Sequence, residues 1–100
     1  MLELEFNNSV LTAHLSGELD HHSAAVIRKK IDSKTEALKP KTLKLDYKDV
    51  QFMDSSGIGL IMGRYRQMSL IGGNVEVTNV PPHLKRMFSL SGIDTLGVMK

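Results

Sequence analysis

The sequence predicts a single α/β domain with a largely parallel sheet that opens on an N-terminal hairpin. Three observations carry this prediction. Stretches with apolar residues at every second position alternate with stretches at helical spacing. The links between them are short, so strand–helix–strand crossovers follow. Finally, 100 residues, 41% of them hydrophobic and with no linker, repeat or low-complexity tract, make one core feasible and a second unfeasible. The domain is expected to span residues 1–100.

The elements follow in order. Leu2, Leu4 and Phe6 alternate with Glu3, Glu5 and Asn7, the pattern of a half-buried strand. Asn7-Asn8-Ser9 supplies turn chemistry, and Val10–Ser16 reads as the second arm of the hairpin. Gly17-Glu18-Leu19 is expected to break that strand, with Asp20 capping a helix. Ala24, Ile27, Ile31 and Leu38 mark the inner stripe of this helix, and Lys39-Pro40 ends it. Leu43, Leu45 and Tyr47 give a third strand. Val50, Phe52 and Met53 then lead into the polar turn Asp54-Ser55-Ser56-Gly57. A second helix carries Ile58, Ile61, Met62, Tyr65 and Met68 on one stripe, closed by Gly72-Gly73. Val75 and Val77 mark a fourth strand. Pro81-Pro82 starts a third helix with Leu84, Met87 and Phe88 inward and Gly92 as its stop. Leu96, Val98 and Met99 suit a last short strand.

Composition narrows the function. Without cysteine there is no disulfide framework, thiol nucleophile or thiolate metal site, which fits a reducing cytoplasm. No apolar run nears the ~20 residues that span a bilayer, and the acidic, alternating start is unlike a signal peptide. No membrane association is expected. The net charge of +2 is unevenly spread. Residues 1–27 and 49–63 contain six acids and no Lys or Arg, whereas residues 28–48 hold eight bases and three acids. Those bases are interleaved with acids and lack aromatic platforms, so they read as a solvated face and not a nucleic-acid surface.

Several catalytic patterns fail on spacing. Around Gly57 and Gly59 a dinucleotide fingerprint would place its third glycine one residue before Gly63, and no Lys follows as a Walker loop requires. The bland alternative is that Gly59 and Gly63 give one smooth face for close helix packing. Adjacent Asp20 and His21 cannot make the orienting bond of a hydrolytic triad with Ser55 or Ser56. His21 and His22 diverge by about 100° on a helix, so with His14 and His83 they do not form a metal site. Arg64 and Arg66 lie on opposite sides of their helix. The Asp54-Ser55-Ser56-Gly57 turn remains, either as a helix cap or as a substrate. A phosphate on a serine there would gain from the helix dipole and free N–H groups.

Two stretches, Leu15–His22 and Phe52–Gly59, resemble the anti-sigma factor antagonists of the STAS domain family. Further segments (Met62–Gln67, Ile71-Gly72-Gly73, Lys85–Phe88 and Ser91-Gly92-Ile93) extend the likeness over nearly the whole chain, toward the family's sporulation branch. The resemblance implies a STAS fold: a mixed sheet of four to five strands, an N-terminal hairpin, and helices mainly on one face. It implies no enzymatic activity and no cofactor. Such a protein binds an anti-sigma factor that is also an AB-type serine kinase and so frees a sigma factor, sigma F in the sporulation branch. ATP is used by that partner kinase to phosphorylate the serine matching Ser55, and a PP2C-type phosphatase reverses the step. Asp54 and Gly57 would shape the loop. The implied partner surface takes in Glu18, Asp20, His21, His22, Asp54, Ser56, Gly57, Ile58, Gly59 and Met62. These residues fall within the two base-free segments.

The family ordinarily continues into a longer last strand and a further helix, whereas this sequence stops at Lys100. The expectation is an absent C-terminal helix and an apolar patch, with a monomer the default and a dimer the alternative. Two other functions predict different behaviour: a small nucleotide-binding or hydrolytic protein using residues Ser55–Gly59, and a ligand-sensing STAS module.

Overall fold

In the computed structural model, which describes residues 1–100, four strands form one sheet: β1 (Leu2–Asn7), β2 (Val10–Leu19), β3 (Thr42–Met53) and β4 (Asn74–Thr78). They lie side by side in chain order, β1 antiparallel to β2 and the other two pairs parallel, so the sheet is mixed. Asn8 and Ser9 both take positive φ, 51° and 65°, which makes the hairpin the two-residue kind whose twist matches the strands.

The crossovers are α1 (His21–Leu38) between β2 and β3, and α2 (Ser55–Leu70) between β3 and β4. A third helix, α3 (Pro82–Ser91), ends at Gly92 with φ 81°, and a 3-10 turn covers Ile93–Leu96. The strand pattern shows why all the helices gather on one side. Leu11, Ala13 and Leu15 of β2 and Leu43, Leu45 and Tyr47 of β3 are buried, in one cluster with Ile27, Ile31, Ile61, Met68 and Phe88 of the three helices. Thr12, His14, Lys44 and Asp46 alternate with them and face the other way. Phe88 meets Tyr47 edge to face, ring centres 5.4 Å apart. Tyr47 is fully buried, which drives its phenol well above the usual range.

Three expectations change. Gly17 does not break β2; with φ 80° it lies in an irregular stretch of a strand that continues to Leu19. The β2–β3 register slips between His14 and Ser16 and again between Gly17 and Glu18. Each slip puts an extra residue into β3, so its alternation fails after Tyr47, and Gln51 and Phe52 are both exposed. The expected last strand shrinks to a single parallel bridge, Met99 beside Val77, with Leu96 in the 3-10 turn. The buried stripe of α2 is Gly57, Leu60, Ile61, Arg64 and Met68, rotated from the anticipated one and leaving Met62 40% exposed. This helix packs against α1 as well as the sheet, so two directions are inward.

Candidate functional site

The site is built by two parallel strands that end at the same level. Glu18 pairs with Phe52 and Leu19 with Met53, and in each chain segment the next residue is an aspartate. Asp20 and Asp54 have nearly the same extended backbone, φ −101° and −103°, and each caps the helix that follows. Two helix N-termini therefore emerge beside each other at the carboxyl edge of the sheet.

The caps differ in detail. Asp20 Oδ1 accepts the Ser23 N–H at 2.9 Å, while Ser23 Oγ accepts the Asp20 N–H at 3.0 Å, a reciprocal capping box. The Ser23 N–H is the main reason the Asp20 carboxyl sits below its ordinary pKa. Ser23 Oγ also donates to the Glu18 carbonyl at 2.7 Å, which ties the end of β2 to the first turn of α1. At the second helix Asp54 Oδ1 accepts the Ser56 N–H at 2.8 Å. The cap is thus Asp54, and Ser55 is the first residue of α2, exposed and free of capping duty.

Of the other anticipated residues, Glu18, His21, His22 and Gly59 are exposed, and Asp20, Asp54, Ser56 and Ile58 are half-buried. Ile58 packs on the core edge, and Met62 follows it one turn on. Gly57 departs from expectation as a partner contact. It is buried, and a Cβ there would overlap Met53 Cγ and Sδ and come within 3.5 Å of Leu19 Cβ. Its part is to let α2 start directly on the ends of β2 and β3. Phe52, 52% exposed and paired with Glu18, belongs to the same rim and was not singled out from sequence. The one available signal was the run Val50–Met53, too apolar for a plain alternating strand.

The four histidines lie on three elements, His14 on β2, His21 and His22 on α1 and His83 on α3. His83 Nε2 lies 3.0 Å from the Gln51 carbonyl oxygen. His14, on the open face of the sheet, has Nε2 2.8 Å from Glu5 Oε1 and Nδ1 2.8 Å from Asp46 Oδ2. Asn79 Nδ2 donates to Asp46 Oδ1 at 3.0 Å. Glu5, and then Asp46, hold the imidazole above its ordinary pKa.

Sequence reasoning also missed Arg64. Its side chain is only 8% exposed, with Nε 2.8 Å from Asp32 Oδ1 of α1. Burial pushes Asp32 up and Arg64 down from their ordinary values, the mark of an ion pair taken partly out of water. Arg64 and Arg28 line a groove that also touches His21 and Ser56. A base-free segment of sequence therefore lies beside two arginines in space.

Comparison with known proteins agrees with this architecture. The STAS domain family model matches residues 1–98. An anti-sigma F factor antagonist of Paenibacillus polymyxa is 39% identical over 92 residues, which is 92% of this chain and 79% of that protein. The solved structure of the anti-sigma factor antagonist SpoIIAA in its unphosphorylated form superposes with a TM-score of 0.88 at 32% identity, over 100% of this chain and 86% of that one. The phosphorylated form of the Bacillus cell fate determinant SpoIIAA gives 0.80 at the same identity, covering 100% and 89%. No helix of this chain is long and apolar enough to cross a membrane.

Proposed function

This chain belongs to the STAS domain family, and from that membership and the geometry of the Ser55 turn we propose that it is an anti-sigma factor antagonist switched by phosphorylation. It is a binding module and not an enzyme, and it works in the cytoplasm. In the unphosphorylated form it binds an anti-sigma factor of the AB kinase type and releases the sigma factor held there, sigma F in sporulation. The kinase transfers the γ-phosphoryl group of ATP to Ser55 Oγ, with ADP and a proton as the other products. A PP2C-type phosphatase hydrolyses the ester and restores the binding form.

The observation that carries this reading is the division of labour between neighbours: Asp54 caps α2, and Ser55 is left exposed at its first position. A phosphate on Ser55 adds roughly −1.5 to −2 of charge at the positive end of a helix, so the fold accommodates it. A partner seated on the rim from Glu18 to His22 and on α2 as far as Met62 meets that charge directly. The structure of a relative in a phosphorylated form supports a modification of this type. Incubation with the cognate kinase and ATP, followed by intact-mass measurement, tests the assignment. The expected product is heavier by about 80 Da, one phosphoryl group, and is absent in Ser55→Ala. A Ser55→Ala protein that still gains this mass overturns it.

A further inference from the structure

The two edges of the sheet are finished differently. At the β4 edge the Val77 N–H donates to the Val98 carbonyl at 2.7 Å, and the Val77 carbonyl accepts the Lys100 N–H at 2.9 Å. At the other edge β1 pairs with β2 alone. The hairpin decides which groups of β1 are free. In a two-residue hairpin the residues flanking the turn, here Asn7 and Val10, exchange both backbone bonds, and so does every second pair after them. The bond from the Ser16 N–H to the Met1 carbonyl, 3.0 Å, keeps this phase to the end of the strand. Met1, Glu3, Glu5 and Asn7 therefore bond inward to β2. The N–H and C=O groups of Leu2, Leu4 and Phe6 point away from the sheet, with no strand beside them.

The two sides of this edge differ in charge. Leu2, Leu4 and Phe6 turn their side chains to the helix side, where Leu2 and Leu4 pack on the core. There a groove of about 440 Å³ is lined by Leu4 and by Lys29, Lys30, Ser33 and Lys34 of α1, all four exposed. No acid lines it. Glu3 and Glu5 lie exposed on the open side of the same strand. Lysines beside a free edge turn away apolar strands, and these admit an acidic one. A second copy of β1 fits badly. Two-fold pairing sets Glu opposite Glu on the open side and brings only apolar side chains to the lysines.

We propose that the free edge of β1 is a docking site for an extended acidic segment of a partner protein, which adds a strand to the sheet. Its backbone bonds the outward groups of Leu2, Leu4 and Phe6. Its Asp or Glu side chains, at alternate positions, reach Lys29, Lys30 and Lys34, and uncharged or basic residues between them lie beside Glu3 and Glu5. Since β2 stands between this edge and β3, which leads into Ser55, the site is separate from the phosphorylation switch.

The test uses the full chain, ¹⁵N-labelled, and a capped peptide of about seven residues alternating Thr with Glu, long enough to pair along β1. Saturable shifts centred on the amides of Leu2, Leu4 and Phe6 are expected, with slower exchange of those amides with solvent. At constant ionic strength the same peptide with Lys in place of Glu should bind about tenfold more weakly or worse. The triple variant Lys29→Gln, Lys30→Gln, Lys34→Gln, at exposed positions and with good helix formers, should keep the fold and lose a similar factor. Methylating the peptide nitrogens of Glu, or those of Thr, should abolish binding in one case only, because alternate residues of a strand direct their N–H groups to opposite edges. Shifts that do not saturate, equal binding of the Lys peptide, or the same response to both methylations overturn the proposal. So do the same shifts on raising the protein concentration without peptide, which assign the edge to a second copy.

Discussion

The Asp54 backbone N–H donates to the Leu19 carbonyl at 3.2 Å, which joins the start of α2 to the end of β2. Leu19 precedes the cap of α1 and Asp54 is the cap of α2, so this bond holds two helix starts in one rigid edge. Ser55 is carried on that edge, and the exposed residues Glu18, His21 and His22 are carried on the same one.

Ser55→Asp imitates part of the phosphate charge without changing the packing, because the side chain points to water. Two decades of affinity correspond to about 2.8 kcal/mol at ~1.4 kcal/mol per decade. The expected result is kinase binding weakened roughly a hundredfold by calorimetry, with the melting temperature unchanged. Equal affinity would remove charge as the basis of the switch.

Asp54 is expected to separate capping from charge. Asp54→Ala loses the bond to the Ser56 N–H and should lower stability by about 1 kcal/mol in urea unfolding. Asp54→Asn keeps an acceptor of equal capping quality and should stay within about 0.5 kcal/mol of the parent.

Gly57→Ala forces a methyl group into Met53, a side chain only 2% exposed. Overpacking of this type costs about 1–3 kcal/mol. A matching loss in urea unfolding is expected, and Met53→Ala in the same chain should relieve the overlap in part. Gly59→Ala, where a Cβ meets nothing, should instead raise stability by a few tenths of a kcal/mol to about 1 kcal/mol.

The His14 cluster predicts a pH dependence. His14 has a folded pKa above its ordinary 6.5, so its bonds to Glu5 and Asp46 stabilise fully below about pH 6.5. That contribution is lost as pH rises through the higher folded value. Asp46 acts in the opposite sense. Burial raises its pKa, but bonds from Asn79, His14 and the Lys48 N–H outweigh burial and hold it below 3.8. Its contribution is present above about pH 3.8 and is lost as pH falls through the lower folded value. With the His14 side chain 42% exposed, solvent screening keeps the effect under about 1 kcal/mol. Urea unfolding should show slightly greater stability at pH 5.5 than at pH 8.5, and His14→Gln should abolish the difference.

Much of this was legible along the chain because it is local. The Asp20 cap, the Asn8–Ser9 turn, the stop at Lys39 and the period of each helix depend on residues within a turn or two of each other. The Ser55 position at a helix start was equally readable, but that Asp54 and not a serine is the cap is shown by its bond to the Ser56 N–H. Other features depend on partners distant in sequence. The two register slips between β2 and β3 exposed Phe52 against the expected alternation, because a bulge is decided by both strands. Arg64 is placed by its own helix only as lying opposite Arg66, whereas α1 supplies Asp32 and the cover that bury it. Gly59 and Gly63 read as packing glycines, and only the spacing of the two helices leaves them open as a groove wall. The sequence by itself determined the three helices, the four main strands, the cap of the first helix and the placing of Ser55 in a turn at a helix start, since hydrogen bonds and periodicity within a helix or turn are local. Tertiary structure alone decided which charges are buried and where space remains, since burial depends on the surfaces that distant elements present to each other.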